Sequence, residues 1–173
     1  RDMVSGDECQ LTDNSEGFLK SYVYFDGKPY RGFGRASVSL DAERGLVYYL
    51  QGREIRVDDM AGKTRTLALT PAGQMTAFTH ISEDGTRLVV PTTDAYALDG
   101  DNLLVGRPEY DIDERVQTNG LSSYLHVYDT ASGQEVACEA VPRCWITHVQ
   151  FSPLDRYTIL YNHEWPSDCG VRR

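Results

Sequence analysis

The stretch FTHISEDGTRLVVPT, residues 78–92, reads as a strand, an acidic turn with a glycine, and a second strand. Apolar and β-branched residues flank Glu83-Asp84-Gly85, the pattern of an antiparallel hairpin. The pattern recurs as ASVSLDAERGLVYYL at 36–50 and as VQFSPLDRYTILYN at 149–162. Each copy carries a serine just before its turn: Ser39, Ser82 and Ser152. After the first two copies comes another strand that ends in aspartate and a glycine turn, EIRVDDMAGKTRTL from residue 54 and YLHVYDTASGQEV from residue 124.

The spacing turns these hairpins into a fold. Ser39 and Ser82 are 43 residues apart, and Ser82 and Ser152 are 70 apart, an excess of 27. Ser39 to Asp59 is 20 residues and Ser82 to Asp129 is 47, the same excess. One insertion, over about 94–121, therefore separates the second and third strands of the second unit. A period of roughly 40–45 residues with four strands per unit marks a β-propeller. The predicted fold is all-β, a propeller of four-stranded antiparallel blades. With YVYFDGKPYRGFGR (22–35) as a partial first unit, about three and a half blades can be counted. Propellers close with roughly four to eight. Residues 1–173 are therefore expected to be the N-terminal portion of a single propeller domain.

Composition narrows the function. Hydrophobic residues make up 40% and charged residues 25%, enough of each for a packed core and a solvated surface. The net charge of -9 argues against nucleic acid as a partner, since phosphate binding needs a basic face. No apolar run reaches the roughly 18 residues of a membrane helix, so no membrane role is expected. The opening RDMVSGDE lacks the charged-then-apolar pattern of a secretory leader, and a cytoplasmic location is expected. The cysteines, Cys9, Cys138, Cys144 and Cys169, follow no zinc spacing and read as packed thiols. Cys138 and Cys144 are close enough in sequence to meet across a turn at Val141-Pro142.

Strands of a blade alternate in direction, so the entry to the first strand and the loop from second to third share a rim. That places His80, His148 and Gln150, the insertion, and the terminal stretch NHEWPSDCGVRR together. His80 either faces that rim or hydrogen-bonds a neighbouring blade. His126 lies mid-strand among aromatics and reads as structural. Asp111-Ile112-Asp113 lacks the rest of a calcium loop, and no helix follows Gly32 and Gly34 to make a nucleotide motif. His163, Glu164, Arg172 and Arg173 suit either a rim ion-pair network or a carboxylate ligand, whose two oxygens match the guanidinium fork.

THVQFSPLDRYTILYNHEWPSDCGVRR (147–173) resembles the oligogalacturonate lyases, seven-bladed propellers that cleave short pectin fragments. His148 matches the histidine of the family's Gly-His-Pro entry. His163, Glu164 and Pro166 match its His-Glu-Gly-Pro turn. Arg173 matches the arginine of its Ala-Arg-Met-Trp segment, with Arg172 as the alternative register. Trp165 and Thr147 stand where the family has glycine. The resemblance implies β-elimination on an oligogalacturonide or related uronate oligosaccharide. It makes Arg173 a catalytic residue and His80, His148, His163, Glu164 and Arg172 substrate-binding. It also implies Mn²⁺, held in the family by later His and Gln residues, and a base histidine in the following blade. No histidine follows His163 here, so the chain alone is expected to be inactive. Two other classes stay open: a non-catalytic propeller that binds a sugar acid or a protein, and the propeller domain of a peptidase.

Overall fold

In the computed structural model, residues 4–8, 24–25, 28–29, 38–51, 53–76, 79–94, 118, 120–146 and 148–163 are described. Every element whose bounds lie among them is a strand. β1 (Tyr24–Phe25) and β2 (Lys28–Pro29) form a small antiparallel pair. β3 (Ser39–Asp41), β4 (Leu46–Gln51), β5 (Glu54–Asp59) and β6 (Thr64–Leu69) follow one another in a four-stranded antiparallel sheet. The second sheet runs outward from β8 (His80–Ile81) through β9 (Arg87–Asp94) and β10 (Ser122–Asp129) to β11 (Glu135–Pro142). β7 (Gln74–Met75) pairs with the far end of β9. β12 (Val149–Phe151) and β13 (Ile159–Tyr161) make a third hairpin. The first sheet has four strands and the second five, with β7 and β8 sharing the inner edge of β9, and the chain is a partial β-propeller.

The central strands β9 and β10 of the second sheet are buried on both faces, as in a blade between two others, while β11 at its outer edge is exposed. Leu88, Val90 and Tyr128 pack with Tyr48, Leu50, Ile55, Val57 and Leu67 of the first blade. Val89, Leu125 and Val127 pack with Ile146 and Phe151 on the other side. Alternation along β9 thus feeds two cores in turn, because successive side chains leave a strand on opposite faces. Pro91 sits within this buried strand. Its pairing with β10 is continuous, while the inner pairing breaks between Met75 and His80, opposite Pro91. A proline has no N–H to donate, so the break falls where it costs least.

The repeated sequence positions have repeated uses. Asp59 Oδ1 accepts the amides of Ala61 and Lys63, each at 2.9 Å. Asp129 Oδ1 accepts those of Ala131 (3.2 Å) and Ser132 (2.9 Å). Each aspartate thereby closes the turn that leads to its outer strand. Gly62 (φ 78°) and Gly133 (φ 74°) supply the left-handed residue that both turns require. Ser82 and Ser152 bond their own turns, Ser82 Oγ accepting the Arg87 amide (2.9 Å) and Ser152 Oγ that of Leu154 (3.1 Å). Ser39 instead reaches Thr79 at the entry to the next blade, oxygen to oxygen 2.8 Å.

β9 ends at Asp94 and β10 begins at Ser122, whereas in the first blade β4 ends at Gln51 and β5 begins at Glu54. Most of the insertion between them lies outside the described residues. Cys138 is exposed and Cys144 buried, and no disulfide joins the two. Cys9 and Cys169 lie outside the described residues.

Candidate functional site

The β12–β13 hairpin brings two of the candidate histidines to one end. Val149 pairs with Tyr161, so the next residues outward, His148 and Asn162, face each other. The His148 amide donates to Asn162 Oδ1 at 2.6 Å, and the Asn162 amide donates to the His148 carbonyl at 3.2 Å. His163 follows directly. These two bonds close the open end of the hairpin and hold the backbones of His148 and His163 close together. His148, Val149, Gln150, Leu160, Tyr161 and Asn162 line a shallow groove.

His80 lies one layer deeper. It opens β8, the inner strand beside β12, and its Nδ1 accepts the Phe151 amide at 3.2 Å. Its ring packs against that of Phe151, with centroids 6.3 Å apart. Burial lowers the pKa of the imidazole, which keeps it neutral. His80 therefore links two blades through Nδ1. Glu164, Arg172 and Arg173 lie outside the described residues.

His126 is 3% exposed, with Nδ1 2.9 Å from Glu135 Oε2. Its Nε2 lies 2.9 Å from Gln74 Oε1 and 3.1 Å from Thr92 Oγ1. Gln74 belongs to β7, a two-residue strand with no alternation to announce it. This network was beyond sequence reading for that reason.

The turn end of the hairpin is tied separately. Arg156 Nη1 donates to Asp84 Oδ2 (3.1 Å) and Thr86 Oγ1 (3.3 Å) across the blade boundary. Burial acts to raise the pKa of Asp84, but hydrogen bonds from Thr86, Ser82 and Arg156 hold it well below the usual carboxylate range. A larger groove of about 370 Å³ opens at this end, with Leu125, Val127, Phe151 and Ile159 as its floor and Arg87 and Arg156 at its edge. It is the apolar space between the second sheet and the hairpin, away from His148.

No protein-family model matches the chain, and no curated protein matches it. Solved structures do match. One is an oligogalacturonate lyase in complex with manganese, 19% identical, aligned over 76% of this chain and 34% of that one with a TM-score of 0.57. Another is an oligogalacturonate lyase from Vibrio parahaemolyticus, 15% identical over 75% of this chain and 33% of that one, TM-score 0.59. A third is a chain of the mitotic checkpoint complex, 15% identical over 78% of this chain and 32% of that one, TM-score 0.50. This chain spans about a third of the length of each. Likeness at these identities is likeness of fold, and one fold hosts many activities. The chain is similar in fold to the oligogalacturonate lyases, and it shares that architecture with a protein of the mitotic checkpoint complex.

Proposed function

We propose that this chain forms part of a propeller enzyme of the oligogalacturonate lyase type, which cleaves short oligogalacturonides by β-elimination. The observation that carries the proposal is the pairing of His148 with Asn162 at the open end of the β12–β13 hairpin. It sets His148 beside Asn162, the residue that precedes His163, and so supports reading His148 and His163 as parts of one motif on a fold similar to that of the lyases.

The chemistry explains why these residue types would gather. The C5 proton of a uronate is weakly acidic until the neighbouring carboxylate is charge-compensated. Arg173, or Arg172 in the alternative register, supplies a fixed positive fork for that carboxylate. His148, His163 and Glu164 orient the sugar. His80, neutral and bonded to the Phe151 amide, positions the strand that carries His148.

Mn²⁺ is a different matter. Among the described residues a single group of three possible ligands converges, His126, Glu135 and Cys138, and it lies on β10 and β11 rather than beside His148. A thiolate-bearing set is also a poor match for manganese, which favours oxygen donors. The described residues do not fit the metal, and no step of the proposal passes through it.

Elimination leaves a conjugated C4–C5 double bond, so ultraviolet absorbance reports it directly. The intact protein incubated with short oligogalacturonides, with Mn²⁺ in the buffer, is expected to generate that absorbance. Binding of the oligosaccharide without absorbance would favour a non-catalytic sugar-acid-binding propeller.

A further inference from the structure

We propose that His126, Glu135 and Cys138 form a zinc site on the outer part of the second blade. Their ligand atoms lie within 4.8 Å of one another. Strand pairing puts them there. His126 is directly opposite Cys138, which places both side chains on one face of the β10–β11 pair. Regular pairing would then set Val136 on that face and turn Glu135 away. A bulge between Val127 and Tyr128 inserts one residue into β11, so that Glu135 opposes Tyr128 and joins the His126 face. Bulges commonly re-aim a side chain in this way.

The ring of His126 is oriented as a ligand would be. Thr92 Oγ1 donates its hydrogen to Gln74 Oε1 at 2.6 Å. The imidazole Nε2, within reach of both oxygens, is then the nitrogen that donates, to Gln74 Oε1 at 2.9 Å. Its other nitrogen, Nδ1, presents a lone pair to the Glu135 carboxylate 2.9 Å away. Two electron-rich atoms at that distance need a proton or a cation between them. Metal-bound histidines typically donate their second N–H to an oxygen that fixes the tautomer, and Gln74 occupies that position. Imidazole, carboxylate and thiolate together select Zn²⁺, with water as the fourth tetrahedral ligand. Glu135 and Cys138 are exposed, so the ion can enter from solvent, while the buried His126 anchors it to the sheet.

Cobalt tests the site, because a thiolate bound to Co²⁺ gives a near-ultraviolet charge-transfer band. The metal-free intact protein is titrated with Co²⁺, which is then displaced by Zn²⁺. The expected result is one Co²⁺ per chain with that band, lost in Cys138→Ser. Glu135→Gln and Gln74→Ala should each weaken Zn²⁺ binding by about 10–100-fold. Cys138 and Glu135 are on the surface, so their variants should keep the wild-type circular dichroism. No band in the wild type, or an unchanged band in Cys138→Ser, overturns the proposal.

Discussion

Gly62 and Gly133 hold the same place in two equivalent turns, yet they face different surroundings. Both have φ near +75°, the region where a Cβ is costly. A Cβ on Gly62 would meet nothing within 4 Å, whereas one on Gly133 would land on the Leu67 carbonyl of the preceding blade. Gly62→Ala should therefore cost about 1 kcal/mol from backbone strain alone. Gly133→Ala should cost about 2–4 kcal/mol, because the turn must also back away from the first blade. Urea unfolding of the two variants measures the difference, and equal costs would mean that the blades do not touch there. The neighbouring Asp129 carries a pH signature. Hydrogen bonds from the Ser132 amide and hydroxyl, and then from Arg87, lower its pKa to about 2, against an ordinary 3.8. A carboxylate with a depressed folded pKa stabilises the fold at higher pH and loses that contribution as pH falls through the window. Stability should fall between about pH 4 and pH 2. Asp129→Asn should be less stable at neutral pH and flatter across that window, as thermal melts at stepped pH would show.

At the scale of the element, the β12–β13 hairpin is held by its core side. Phe151 is 3% exposed and packs with Val89, Leu125, Val127 and Ile146. The Arg156–Asp84 pair is largely solvated, with side chains 37% and 44% exposed. Phe151→Ala should therefore cost about 3–5 kcal/mol. Arg156→Ala should cost under about 1 kcal/mol and matter less in high salt. Chemical denaturation at two salt concentrations separates the two, and the reverse order would contradict this account of the hairpin. The long strands were legible in sequence. VYYL and LVVPT are too apolar for a surface, and the Asp-Gly turns gave their ends away. β7 was not, because two residues carry no period. Nor was the bulge that brings Glu135 beside His126, since nothing in YLHVYDTASGQEV marks where one residue is left unpaired. For His80, sequence order alone did not show the interblade bond from the Phe151 amide to Nδ1.

For the whole molecule, the period of 43 residues made the propeller readable from sequence, because blades of one size must stack at one spacing. The site was less readable. Chain order predicts which loops share a rim, but not which side chains turn toward a ligand. The candidates Glu164, Arg172 and Arg173 rest on their match to the lyase motif. Their test is kinetic. Elimination by the intact protein on short oligogalacturonides, followed by ultraviolet absorbance, should be compared among the wild type, Arg173→Lys and Arg172→Lys. Lysine keeps the charge and loses the two-point geometry. The account predicts that Arg173→Lys lowers turnover by about 10²–10³-fold with a much smaller change in substrate binding. Loss with Arg172→Lys instead would move the register by one residue. Absence of absorbance from the wild type, or full turnover in both variants, would contradict the lyase account.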